Sequence, residues 1–153
     1  MLLSRQADYA VRLVLDLALH DPEQVQVRDV AQRHCIPPAY LQKVVQRLVR
    51  AGLVRTLRGP RGGVRLSRPP SHLSLREVVE AVEGPVVFNR CQLWGGECEG
   101  GEPCQTHAIW ESLSALLSRS MQAITFDALA SGRAVDQLES VTPSTSHKVR
   151  VSA

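Results

Sequence analysis

The sequence predicts a mainly α-helical protein with a small β-wing, built as a winged helix-turn-helix plus a long dimerisation helix. Three amphipathic segments precede two short apolar segments that are joined by a glycine-rich turn, and this order is that of a winged helix-turn-helix. Residues 30–76 contain no acidic residue and ten basic ones. Such a block attracts a polyanion, usually nucleic acid, although a solvated basic surface is the alternative. A further amphipathic segment, at residues 108–124, predicts the long helix.

The first helix is predicted over residues 5–20. Ser4 is placed to cap its first turn, and Asp21-Pro22 ends it. The apolar residues of this segment recur at spacings of three and four and are expected to face the core. They are Ala7, Ala10, Val11, Val14, Leu15, Ala18 and Leu19.

Two helices joined by a tight turn follow, at residues 28–33 and 38–51. Pro38 suits the start of the second of them, because proline is tolerated in the first helical turn, and Gly52 is placed to end it. Cys35 lies in the turn and is expected to be a small buried side chain.

The predicted strands, residues 53–57 and 64–66, are joined by a basic turn that reads RGPRGG. Its glycines allow the backbone to approach phosphates or the floor of a groove. Arginines there suit phosphate contact or insertion into the minor groove, whereas an ordinary glycine turn is the alternative. The polar face of the preceding helix carries side chains that pair with base edges in the major groove. The predicted DNA-binding residues are Tyr40, Gln42, Lys43, Arg47, Arg58, Gly59 and Arg61.

A fourth helix is predicted from a capping box formed by Ser74 and Glu77, and it runs to residue 83. After a glycine-rich loop, the long helix at 108–124 carries an apolar stripe, and Thr125 caps a last short helix. The stripe is wider than a small domain needs, so we expect a second copy to cover it, although packing on the chain's own domain is the alternative. Its residues are Ile109, Trp110, Leu113, Leu116, Leu117, Met121 and Ile124.

The glycine-rich loop contains three cysteines and a histidine, Cys91, Cys98, Cys104 and His107, spaced C-x6-C-x5-C-x2-H. The loop has too few apolar residues to be a core-facing helix or strand. Thiolates and imidazole are ligands that transition metals and iron–sulfur clusters prefer. Three interpretations stay open at this point: an iron–sulfur cluster, a structural zinc ion, for which the spacings are wide, or thiols that are oxidised reversibly.

Four regions follow from these features. Residues 1–85 are predicted to form the winged helix-turn-helix DNA-binding domain, and residues 86–107 the candidate cluster-binding loop. Residues 108–132 form the dimerisation helix region. The tail at 133–153 is polar and aperiodic and is predicted to be disordered.

Several classes of protein are not expected. The sequence contains no apolar run of about 18 residues, so a transmembrane helix is not predicted. The first residues lack the apolar core of a signal peptide. We therefore expect a cytoplasmic protein that does not bind membranes, in a compartment where thiols stay reduced. Neither a nucleophile–base constellation nor a Walker-type phosphate loop is present, so an enzyme is not predicted. An iron–sulfur carrier is the rival from another class, but it needs no basic helix-turn-helix.

Three segments resemble the IscR-type iron–sulfur regulators of the Rrf winged-helix family, over roughly residues 1–130. They are ADYAV near the start, PAYLQKVVQRLVRAGLVRTLRGPRGGVRLSRP, and CEGGEPCQTHAIW. The resemblance implies a homodimeric transcription factor whose binding to double-stranded operator DNA depends on the state of an iron–sulfur cluster. The signal would be iron–sulfur status, iron, redox state or nitric oxide.

The resemblance also implies the ligands of the cluster, Cys91, Cys98, Cys104 and His107. A histidine ligand favours a [2Fe–2S] cluster. Relatives that sense nitric oxide use an N-terminal aspartate on a [4Fe–4S] cluster, which makes Asp8 an additional candidate ligand. A surface polar residue on the first helix is the alternative role of Asp8.

Overall fold

The computed structural model of the protein describes residues 3–59, 62–89, 92–93 and 106–141. The predicted order of three helices, a hairpin and further helices is confirmed. The first part contains α1 (Arg5–Leu19), α2 (Val27–Arg33), α3 (Pro38–Arg50), β1 (Val54–Leu57) and β2 (Gly63–Leu66). A short 3-10 turn at Pro70–His72 then leads to α4 (Leu75–Glu83), α5 (His107–Ala123), α6 (Phe126–Ala130) and α7 (Ala134–Val141). None of the helices in the described part is long and apolar enough to cross a membrane.

Helix α1 lies in the middle of the core and contacts α3, α4, α6 and β2. Ser4 caps it as predicted, since its hydroxyl accepts hydrogen bonds from two backbone N–H groups of the first turn. The buried stripe is rotated relative to the predicted one, because Leu13 and Leu17 are buried whereas Leu19 is exposed. The most deeply buried apolar residues of α1 follow helical spacings of three and four, and they are Ala7, Ala10, Leu13, Val14 and Leu17.

The wing is an antiparallel hairpin that is attached to the connection between α1 and α2. Val25 exchanges two backbone hydrogen bonds of 2.9 and 2.8 Å with Val64 of β2. A Cβ atom on Gly63 would lie 2.7 Å from the carbonyl oxygen of Val25, so only glycine allows this approach. The side-chain amide of Gln26 also donates to the carbonyl of Gly62. These contacts fix the direction of the wing relative to the helix-turn-helix.

The region after the loop shares the core of the DNA-binding domain. The capping box of Ser74 and Glu77 is present at the start of α4. Beside it, the N–H of Phe126 donates to the carbonyl of Leu73 at 2.9 Å, and the N–H of Leu75 donates to Ile124 at 2.8 Å. Phe126 is completely buried among residues of α1, α3 and α4. The segment 108–132 is therefore anchored in the domain that carries the helix-turn-helix.

The prediction of a disordered tail from residue 133 is wrong for its first part, because Ala134–Val141 is helix α7. The side-chain oxygen of Gln137 accepts a 3.1 Å hydrogen bond from the N–H of Thr125, and α7 contacts α5 and α6. This helix depends on tertiary contacts that composition does not reveal. Residues 142–153 lie outside the described residues.

Candidate nucleic-acid interface and metal-binding loop

A buried carboxylate fixes the turn of the helix-turn-helix. Asp16 of α1 is only 3% exposed. Arg33 donates hydrogen bonds of 2.9 and 2.6 Å to its two oxygens, and Nε2 of His34 lies 2.9 Å from one of them. Burial alone would raise the pKa of Asp16, but the hydrogen bonds from Arg33 and His34 hold that pKa below its ordinary value. Sequence reasoning missed this cluster, although a lone aspartate in the apolar run LVLDLAL was a signal.

The expected burial of Cys35 is wrong, because its side chain is exposed. Its backbone has a left-handed φ of 53°, which turns the chain so that Ile36 enters the core instead. The turn thus presents a thiol beside the candidate recognition helix.

Helix α3 buries one face and exposes the other. Leu41, Val44, Val45 and Leu48 are buried, whereas Gln42 and Lys43 are exposed. Tyr40 is 53% exposed, and the ammonium of Lys43 lies 5.8 Å from the centre of its ring. These three predicted DNA-binding side chains are therefore accessible on one side of the helix.

Arg47 makes a contact that the sequence did not predict. Its guanidinium donates a 2.7 Å hydrogen bond to the carbonyl of Val82, in the last turn of α4. The residue thus joins the candidate recognition helix to the element that leads into the cysteine loop.

Internal pairing divides the nine described basic residues of the acid-free block into two groups. Arg33, Arg68 and Arg76 form ion pairs with Asp16, Glu77 and Glu80 respectively. Within the described part of the chain, six others have no carboxylate at ion-pair distance: Lys43, Arg47, Arg50, Arg55, Arg58 and Arg65. The uncompensated charge is therefore concentrated on α3 and the wing, as a surface that binds DNA requires.

The tip of the wing is tightly turned. Gly59 has a φ of 116°, which disfavours a side chain, and a Cβ atom on Gly62 would lie 2.4 Å from the carbonyl oxygen of Leu57. Arg58 is exposed beside Gly59. Arg61 lies outside the described residues.

Both ends of the cysteine loop line one cleft of about 470 Å³ between α4 and α5. Gln92, the neighbour of Cys91 in sequence, lines this cleft, and so does His107, the first residue of α5. The side-chain oxygen of Gln92 accepts hydrogen bonds from the N–H of Phe88 at 2.9 Å and the hydroxyl of Ser114 at 3.2 Å. The start of the loop is thereby attached to α5.

The predicted ligands are only partly within the described structure. His107 is described, whereas Cys91, Cys98 and Cys104 lie outside the described residues. In the described ranges alone, no three His, Cys, Asp or Glu side chains are grouped as a metal site. Three thiols and an imidazole fit an iron–sulfur cluster or a zinc ion by their chemistry. Asp8 is half-exposed on α1 and forms a 2.9 Å ion pair with Arg12.

The apolar stripe of α5 divides into two parts. Met121 and Ile124 are buried against the chain's own core. Ile109, Leu113 and Leu116, spaced on one face of the helix, are 57%, 41% and 40% exposed. The alternative, packing on the chain's own domain, therefore holds for Met121 and Ile124, and coverage of the exposed part by a second copy stays a prediction.

Known proteins similar to this chain are transcriptional regulators. The family model described as "Rrf2: Iron-dependent Transcriptional regulator" matches residues 3–132. The chain is 38% identical over 136 residues to the HTH-type transcriptional regulator IscR of Escherichia coli, covering 88% of this chain and 83% of that protein.

Two solved structures are similar in fold. The global cysteine regulator CymR of B. subtilis superimposes with a TM-score of 0.73 at 23% identity, covering 86% of this chain and 98% of that chain. T. potens IscR superimposes with a TM-score of 0.67 at 23% identity, covering 95% and 93%.

Proposed function

We propose, since this chain belongs to the Rrf2 family of transcriptional regulators, that an iron–sulfur cluster controls its binding to operator DNA. The chain is a regulator and not an enzyme. Tyr40, Gln42, Lys43 and Arg47 of α3 and Arg58, Gly59 and Arg61 of the wing contact the duplex. Cys91, Cys98, Cys104 and His107 hold the cluster.

The observation that carries this proposal is the anchoring of both loop ends in the cleft beside α4. Gln92 and His107 line that cleft together with Arg76 and Glu80 of α4. Gln92 and His107, which lie at the two ends of the loop, are therefore close to each other. When bound, the cluster supplies a redox-sensitive link between the two ends of the loop.

Helix α4 and Arg47 of α3 connect this cleft to the proposed DNA-binding face. The loop follows the end of α4, whose last turn accepts the hydrogen bond from Arg47 of α3. A change in how the loop packs against α4 therefore shifts the position of α3 between two arrangements. His107 is the ligand most easily released, because imidazole binds as a neutral group whereas the cysteines bind as charged thiolates.

A [2Fe–2S] cluster suits three thiolates and one imidazole. Asp8 is the additional ligand if the cluster is [4Fe–4S], and it would have to leave its ion pair with Arg12. Replacing Asp8 with asparagine separates the two cases, because only a bound carboxylate makes the visible spectrum depend on this residue. A zinc-bound or thiol-switch regulator of the same fold is the alternative, because thiols also bind zinc and can be oxidised reversibly.

Replacing Cys98 with alanine is expected to lower bound iron and sulfide by at least about tenfold, since a ligand is removed. The helical fold remains, because the core lies in α1–α6. Protein purified without oxygen is analysed by visible spectroscopy, iron and sulfide content and circular dichroism. Cys35→Ala is the matched control and keeps the wild-type cluster content, because the exposed Cys35 lies outside the loop.

Two results would reject the cluster. A colourless wild-type protein that holds stoichiometric zinc identifies the zinc regulator. A colourless, metal-free protein whose DNA affinity changes on oxidation of its thiols identifies the thiol switch.

Replacing Leu113 with glutamate is expected to weaken dimerisation by at least about 30-fold, roughly 2 kcal/mol, because a charge would be buried in an apolar interface. Sedimentation equilibrium measures the association. Leu19→Glu changes a similarly exposed leucine at the end of α1 and serves as the control. A wild-type protein that stays monomeric at micromolar concentration contradicts the dimer.

A further inference from the structure

Two arginines lie directly opposite each other on the outer face of the wing. In the register of the hairpin, Arg55 of β1 pairs with Arg65 of β2. Their neighbours Val54 and Val64 are buried, and side chains alternate along a strand, so the two arginines project from the face opposite to the core. Opposed residues have Cβ atoms about 5 Å apart, and like charges at this distance destabilise a hairpin.

The structure offers these arginines little compensation. Nε of Arg65 is buried and has no hydrogen-bond partner, and neither arginine forms an ion pair with the described carboxylates. Both line a cleft of about 240 Å³ together with Asp21 and Arg68. Arg68 is neutralised by Glu77, whereas Asp21 forms no ion pair with either Arg55 or Arg65. The cleft is therefore lined by two arginines that form no ion pair, with Asp21 as the one carboxylate among its lining residues.

We infer that Arg55 and Arg65 bind phosphate groups of the DNA backbone beside the groove that receives the wing tip. This inference rests on the proposed DNA-binding function. A guanidinium group matches the oxygens of a phosphate in a bidentate arrangement, and a bound phosphate relieves the repulsion between the pair.

The position of the pair suits a duplex already in contact with Arg58. Strands rise about 3.3 Å per residue, so Arg55 lies about 10 Å along the wing from Arg58. Phosphate contacts at this second place on the wing would add affinity without adding base specificity.

The test replaces both arginines with glutamine. Arg55→Gln/Arg65→Gln is expected to lower the affinity for duplex DNA by on the order of tenfold. The plot of log K against log salt becomes shallower, with the magnitude of its slope reduced by about 1–2, because each phosphate contact contributes about 0.9 to that magnitude. Affinity for unrelated duplexes falls equally. The melting temperature stays the same or rises, since a repulsive pair is removed.

The control variant is Arg119→Gln/Arg133→Gln, which removes two positive charges away from the wing, one on α5 and one between α6 and α7. It is expected to keep the wild-type slope of log K against log salt. An unchanged slope in Arg55→Gln/Arg65→Gln, with wild-type protein that binds DNA, overturns this inference alone. Wild-type protein that shows no salt-dependent binding of duplex DNA overturns the proposed function instead.

Inorganic pyrophosphate, titrated at constant ionic strength, is the second probe. If it raises the melting temperature only when both arginines are present and the DNA slope is unchanged, the site takes a free anion and the assignment to DNA is overturned.

Discussion

Asp16→Asn is expected to lower the free energy of unfolding by about 2–3 kcal/mol, because the Arg33 guanidinium loses its charged acceptor. Arg33 is part-exposed, so water compensates for some of the loss. The same change should weaken DNA binding, since Asp16 holds the end of α2 and the turn that orients α3. Urea denaturation and fluorescence anisotropy with duplex DNA measure the two effects.

The matched control is Asp8→Asn, on the same helix. Asp8 forms an exposed ion pair with Arg12, and such pairs contribute about 0.5 kcal/mol or less. Equal destabilisation by the two substitutions would contradict the anchoring role of Asp16.

The contribution of Asp16 is also expected to depend on pH. The folded-state pKa of Asp16 is depressed, so its stabilisation is present above the unfolded-state pKa of about 3.9. The stabilisation is lost as the pH falls through the folded-state value. The difference in unfolding free energy between wild type and Asp16→Asn should therefore be constant near neutral pH and shrink in acid. A difference that grows as the pH falls below about 4 would contradict this assignment.

Phe126→Ala is expected to destabilise the protein by about 3–5 kcal/mol, since removal of a fully buried aromatic ring leaves a cavity. Phe126→Leu refills most of that space and should cost about 1–2 kcal/mol. Because Phe126 connects the segment after the loop to the core of the helix-turn-helix, DNA binding should weaken together with stability.

Urea denaturation followed by circular dichroism provides the measurement. A single transition shifted to lower urea is the expected result for Phe126→Ala. A wild-type midpoint would show that the segment 108–132 does not contribute to the core.

Features that depend on neighbouring residues in the sequence could be predicted. Local sequence determines the cap at Ser4, the capping box at Ser74 and Glu77, and the end of α3 before Gly52. The order of the helices and strands could therefore be predicted. The acid-free block likewise predicted where basic side chains without a carboxylate partner would be concentrated, which is on α3 and the wing.

Features that depend on tertiary contacts could not be predicted in the same way. The ion pair between Asp16 and Arg33 joins residues of different helices, and the bond from Arg47 to Val82 joins α3 to α4. Cys35 was expected inside because cysteine is commonly buried, but a left-handed turn places it outside. For the candidate metal site, the sequence names the donors, and the fold adds that the two ends of the loop line one cleft.

The most direct test of cluster control is the DNA affinity of the loaded protein compared with that of Cys98→Ala. Both proteins are purified without oxygen, and fluorescence anisotropy is recorded with a duplex that the wild-type protein selects from a random library. A coupling free energy of 1–3 kcal/mol predicts affinities that differ by about 5- to 150-fold, with Cys35→Ala equal to wild type. Equal affinities of loaded wild type and Cys98→Ala would contradict control of DNA binding by the cysteine loop.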